Sequence, residues 1–287
     1  MQRRHDPAWL DAQYNARASI PDTAAIFERW TAASALARQG SVAHLDQRYG
    51  DGDGETLDLF PATAGSGPAP VLVFIHGGYW RSRDKSEFSF IAPSFNAEGA
   101  VVVMPNYALA PAVSVEHITL QMTRALAWVW RHAARFGGDP TRIAVAGHSA
   151  GGHLAAMLLS CRWKQVADDL PAQVLAGGLS ISGLFDLEPL RHTTFLQPDL
   201  KLTPAAVARL SPAFFPRPRN APLYSVAGGD ESEEFIRQAR LIRDVWGPTA
   251  VPVCETISGT NHLTVLTGLA TPGDRLHELS LRLLGLR

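Results

Sequence analysis

From about residue 42 onward, short runs of apolar residues alternate with stretches whose apolar positions recur every three or four residues. The runs VLVFIH (71–76), AVVVMPN (100–106), RIAVAGH (142–148), VLAGGLSIS (174–182), PLYSVAG (222–228) and VPVCETI (251–257) are brief and β-branched, as strands buried on both faces are. The intervening segments SVEHITLQMTRALAWVWRHAARFG and SEEFIRQARLIRDVW have helical spacing, the first closed by Gly137 and Gly138, and HELSLRLLGL predicts a terminal helix. Such alternation predicts a single α/β domain over residues 1–287, with a mostly parallel sheet covered by helices on both sides. Two stretches break the rhythm. Residues 1–40, rich in helix formers (IFERWTAASALARQ), predict an N-terminal helical cover, and the Pro-rich stretch 183–220 predicts a lid insertion over a ligand site. GDGDGET reads as a hairpin turn and ATAGSGPAP as a surface loop.

Composition narrows the classes of function. A formal net charge of −1 gives no field that favours nucleic acid or an anionic membrane, so the expected partner is a small molecule. The N-terminus carries no apolar run behind its arginines, and no stretch is long enough to span a bilayer, so a cytoplasmic location is expected. Cys161 and Cys254 fall on a predicted helix and a predicted buried strand and predict neither a disulfide nor a zinc site. No metal and no cofactor is expected. The terminal helix and the last strand are the candidate surfaces for a homodimer.

The chemistry begins at Gly147-His148-Ser149-Ala150-Gly151, a G-x-S-x-G match set between the strand RIAVAGH and the helix GHLAAMLL. Glycines on both sides permit the tight turn that exposes a nucleophilic serine at a strand end. A serine hydroxyl needs a base to take its proton and donors to hold the resulting oxyanion. The strand 71–76 runs into His76-Gly77-Gly78-Tyr79-Trp80, where the backbone N–H groups of Gly78 and Tyr79, with that of Ala150, are the candidate oxyanion hole; His76 reads as a structural residue of the loop. With the chain order Ser, acid, His, Asp230 after the strand 222–228 and His262 after the strand 251–257 complete a candidate triad. Glu231 and Asp186 are the fallback acids. Candidate substrate contacts are Trp80, Tyr107, Phe185 and Asn261, the aromatic ones offering flat apolar surface to an aryl group.

HGGYW, GHSAGGHLAA, SGLFDLEPL, GGDESEEF and NHLTV, together with the opening LDAQYNARASIPD, resemble the kynurenine formamidase (arylformamidase) branch of the α/β-hydrolase fold, a relative of hormone-sensitive-lipase-type esterases. The resemblance covers nearly the whole chain and implies the same triad of Ser149, Asp230 and His262. It departs at Asn106-Tyr107-Ala108-Leu109-Ala110-Pro111, where many such esterases read DYRLAP. The implied activity is removal of a small, formyl-type acyl group from an aryl amide such as N-formylkynurenine through an acyl-enzyme. A carboxylesterase acting on short-chain or aryl esters is the second reading, and a non-catalytic ligand-binding homologue the third.

Overall fold

A computed structural model describes residues 6–40, 42–65 and 67–287. Eight strands form one sheet: β1 (His44–Arg48), β2 (Thr56–Phe60), β3 (Ala69–Ile75), β4 (Val101–Pro105), β5 (Gly138–His148), β6 (Gly177–Ile181), β7 (Leu223–Gly228) and β8 (Val253–Ile257). Their spatial order is β1-β2-β4-β3-β5-β6-β7-β8. Pairings are parallel from β4 to β8, while β1 and β2 form an antiparallel hairpin at one edge, closed by the GDGDGET turn. All six apolar runs of the sequence are strands. The hairpin strands escape the apolar pattern because β1, HLDQR, is half-polar and lies at the sheet edge.

The two faces of the sheet follow from the two-residue period of a strand. Val71, Val73 and Ile75 of β3 join one core, and Leu72 and Phe74 join the other. The first core is covered by the helices Val115–His132, Ala150–Leu159 and Glu233–Trp246, the second by Thr23–Gly40 and Arg275–Leu283. The helix predicted after Ser114 starts there with a side-chain cap, and its last turn ends at Gly137, whose φ of +78° is a left-handed stop.

The N-terminal cover straddles the sheet. Leu10 and Tyr14 of the helix Pro7–Tyr14 are in the first core, whereas Ile26 and Trp30 of the helix Thr23–Gly40 are in the second. Residues 15–22 between them must therefore pass over an edge of the sheet, and Asn15, Ala16 and Arg17 lie against the loops at the carboxyl ends of β3 and β5. The longer helix is anchored by Arg38, which pairs with the fully buried Asp58 on β2; Lys85 reaches the same carboxylate at 2.7 Å. Most of the 183–220 insertion is packed rather than open, with Leu184, Leu187, Leu190, Leu196 and Leu210 buried in the first core. Among the described residues no helix is long and apolar enough to cross a membrane.

Candidate active site

Ser149 sits at the turn from β5 into the helix Ala150–Leu159 with φ +56° and ψ −117°, a conformation that a non-glycine residue holds only where its surroundings impose it. The flanking glycines show what imposes it. A Cβ at Gly147 would lie 2.1 Å from the Gly151 carbonyl oxygen, and one at Gly151 would lie 2.0 Å from the Ile75 oxygen. The helix is thus pressed against the ends of β3 and β5, closer than any side chain permits. The Ser149 N–H donates to the Ile181 carbonyl at 2.8 Å, which fixes the turn to β6 as well.

The HGGYW loop curls beside it. Gly78, Tyr79 and Trp80 all have positive φ, and a Cβ at Gly77 would meet Ser149 Cβ at 3.1 Å. Among the described residues the backbone N–H groups of Gly78, Tyr79 and Ala150 have no protein acceptor, so three donors flank the serine uncommitted. The loop is held from behind by His76, fully buried between Phe88 and Tyr107, its Nε2 3.0 Å from Asn106 Oδ1 and its Nδ1 2.8 Å from the Gly77 oxygen. Asn106, where many esterases carry an acid, is therefore spent on the loop. Burial lowers the pKa of His76 and keeps it neutral, the structural role expected of it.

The imidazole of His262 faces a different acid from the one expected. Its Nδ1 is 2.6 Å from Glu231 Oε2, and the Glu231 carboxylate, wholly shielded from solvent, also accepts from Ser182 Oγ and from the Gly228 N–H, each at 2.5 Å. Asp230 is exposed. The reason is the turn after β7. The Asp230 N–H donates to the Thr260 carbonyl at 3.0 Å, and the Gly229 N–H to Ile257 at 2.7 Å. Those two bonds turn Asp230 outward and swing the next side chain back over the strand end. The extra methylene of Glu231 spans the remaining distance. Asp186, the other fallback, lies elsewhere, capping the Glu188 N–H and 3.8 Å from Arg237.

Ser182 had drawn no notice in the sequence. It holds a left-handed φ of +54° that presents its hydroxyl to Glu231, and its position directly after a buried strand was the available signal. His148, inside the G-x-S-x-G match, makes a contact that local pattern does not show. Its Nε2–H donates to the His262 carbonyl at 2.7 Å, tying the catalytic loop to the serine turn. Burial, aided by the neighbouring His262, pushes its pKa down to about 3, and burial alone takes that of His153 down to about 4.

These neutral histidines give the fold an acid sensitivity whose sign is fixed. A histidine buried without its proton takes one up on unfolding once the pH falls below its ordinary value near 6.5. Their stabilisation is complete above that pH and is lost as pH falls toward the depressed native values. The loss is at most about 1.4 kcal/mol per pH unit for each histidine. The urea midpoint is expected to hold between pH 8 and 7 and to drop steadily from pH 6 to 4.5; a flat profile across the lower range would refute it.

Ser149, His262, Gly77, Gly78, Tyr79 and His148 line one cavity of about 560 Å³, within the usual size for a small-molecule site. None of the four expected substrate contacts is on its wall. Trp80 is wholly buried behind the loop, edge-on to His153; Tyr107 stacks on His76 and donates its hydroxyl to the His76 carbonyl at 2.9 Å; Phe185 is inside the core. Asn261 caps the turn after β8, accepting from the N–H groups of Leu263 and Thr264. Aromatic side chains beside a site in sequence are here the ones that hold its loops. The aromatic wall comes instead from Phe27 and Trp30 of the N-terminal cover, Phe88, and Phe195 of the 183–220 insertion, with Arg17, Arg81, Arg83 and Asp199 among them.

Comparison with known proteins agrees with this geometry. The family model described as BD-FAE matches residues 57–173. A solved structure from Silicibacter sp. tm1040, described as a candidate thioesterase, superposes with a TM-score of 0.82 at 32% identity, covering 93% of this chain and 97% of that one. Esterase LipC of Mycobacterium tuberculosis is 36% identical over 126 residues, 43% of this chain and 31% of that protein. The kynurenine formamidase of Danio rerio is 30% identical over 255 residues, 87% of this chain and 84% of that protein. With a serine turn, a donor loop and a histidine–carboxylate pair assembled on a mostly parallel sheet, the chain belongs to the kynurenine formamidase family, a branch of the serine hydrolases with the α/β-hydrolase fold.

Proposed function

We propose that the protein hydrolyses an N-formyl aryl amide of the N-formylkynurenine type, met as a small soluble substrate in the cytoplasm. Ser149 Oγ attacks the formyl carbon while His262 Nε2 takes its proton, and Glu231 holds the imidazole by Nδ1 and stabilises the cation that forms. The oxyanion is received by the N–H groups of Gly78, Tyr79 and Ala150. The C–N bond then breaks as His262 returns the proton to the aryl nitrogen, leaving a formyl-enzyme. Water, deprotonated by His262, attacks this ester, and His262 returns the proton to Ser149 Oγ as the acyl bond breaks, so that one amide and one water give one arylamine and one formic acid, which ionises to formate and a proton. The observation that carries the reading is the hydrogen bond to a fully shielded Glu231 made by His262, which lines the same cavity as Ser149, Gly78 and Tyr79. Family membership supplies the formamide.

Steady-state kcat/KM on N-formylkynurenine beside p-nitrophenyl acetate tests it. A value near 10⁴ M⁻¹s⁻¹ or above on the formamide, on the order of that for natural substrates, is expected. Turnover of the activated ester alone would favour the second reading, a carboxylesterase, which the kinship with LipC supports.

A further inference from the structure

The wall of the catalytic cavity carries three guanidinium groups, of Arg17, Arg81 and Arg83, and one carboxylate, that of Asp199. Two of the three cations are already neutralised. Arg81 Nη1 is 2.5 Å from Asp199 Oδ2 and also donates to the Phe195 carbonyl, and Arg83 Nη1 is 2.6 Å from Glu87 Oε2. Arg17 has no such partner: among the described residues no carboxylate lies within ion-pair distance of it, and the bond its side chain makes is from Nη2 to Ser82 Oγ at 3.2 Å. Most of its five N–H donors are unspent.

Arg17 is exposed to solvent along the cavity wall, and partial desolvation first, then the nearby charges of Arg83 and Arg81, lower its pKa from the ordinary arginine value. The nearness of two like charges costs this cation some stability. An arriving anion relieves that cost. Among the described residues Arg17 is then the cation of that wall without a carboxylate partner, and it draws ligands of opposite charge.

Hydrogen bonds tie this charge to the oxyanion loop. Ser82 Oγ, which accepts from Arg17, itself donates to the Gly78 carbonyl at 3.0 Å, so two hydrogen bonds connect the guanidinium to the oxyanion loop. Phe27 lies beside it, with the Arg17 guanidinium carbon 5.4 Å and that of Arg83 3.4 Å from the ring centroid. Both arginines are thereby steadied against an aromatic face that also borders the cavity.

We propose that Arg17 is a specificity-determining residue, which receives a carboxylate carried on the leaving-group end of the substrate while the acyl group lies at Ser149. The substrate class is then an aryl amide or ester whose aryl part bears an anionic side chain; a planar guanidinium with free donors suits a bidentate carboxylate. This rests on the reading above that acyl transfer occurs at Ser149, and its test is separable from that reading.

The kinetic test compares N-formylkynurenine with its carboxamide, in which a neutral amide replaces the carboxylate and the α-ammonium is kept, on wild type and on Arg17→Gln. Wild type should favour the carboxylate by about 10- to 100-fold in kcat/KM, as expected of hydrogen bonds to a charged group. In Arg17→Gln the ratio should fall at least tenfold, chiefly through KM, and Arg17→Lys should recover part of it. Because the ratio is read on one variant at a time, a general loss of folded enzyme cancels. A calorimetric titration with L-kynurenine and with L-kynurenine amide reads the same preference without turnover. Preference for the carboxylate in binding, lost in Arg17→Gln, sustains the inference even where the formamide is not cleaved, and only the proposed reaction falls. Equal affinity for the two ligands in wild type, or a ratio unmoved by Arg17→Gln, overturns it.

Discussion

Replacing Ser149 with alanine is expected to lower kcat on both the formamide and the activated ester by at least about 10⁴-fold, the scale seen when a triad serine is removed. The substitution removes one oxygen atom from a side chain that is 2% exposed, and alanine has no greater difficulty than serine with the backbone conformation. Loss of activity in a variant with wild-type circular dichroism and urea midpoint therefore reports chemistry rather than folding. What persists should be the contribution of the donor loop and of binding, which act without a nucleophile. Residual activity within about a hundredfold of wild type would show that another group attacks.

The second large effect separates two neighbouring carboxylates. Glu231→Gln is expected to cost about 10³- to 10⁴-fold in kcat, comparable to the loss when a triad acid becomes its amide. An amide offers both an acceptor and a donor, yet the three groups around this carboxylate, Ser182 Oγ, the Gly228 N–H and His262 Nδ1, all meet it as an acceptor in the native arrangement. Any orientation of the glutamine sets an N–H against one of them. The imidazole then loses its held tautomer and the charge that stabilises its cation. Asp230→Asn, at an exposed side chain, should stay within about threefold of wild type. The inverse pair of results would return the acid to Asp230.

Much of this site was legible in the sequence because its parts lie at strand ends, and strands announce themselves locally. Six apolar runs place six strands, and a serine between glycines directly after one of them has few other uses. The order of serine, acid and histidine follows from the topology, since parallel strands bring the loops after β5, β7 and β8 to one edge. Within each loop that logic stops at a resolution of about one residue.

The amino-acid sequence by itself thus determined the architecture and pointed to the proposed nucleophile, donor loop and base, because each depends on periodicity and on glycines within a few positions. Tertiary structure alone showed which carboxylate meets His262 and which side chains line the cavity. Choosing Glu231 over Asp230 required hydrogen bonds to Ile257 and Thr260, some thirty residues away, which turn one carboxylate out and the other in. Choosing Arg17, Phe27 and Trp30 over Trp80, Tyr107 and Phe185 required knowing that the N-terminal segment crosses the sheet edge between its two cores, and choosing Phe195 required knowing how the 183–220 insertion packs. A residue's neighbours in the chain tell whether it is apolar and where its strand ends; which surface it finally faces is set by packing against segments that local pattern cannot see.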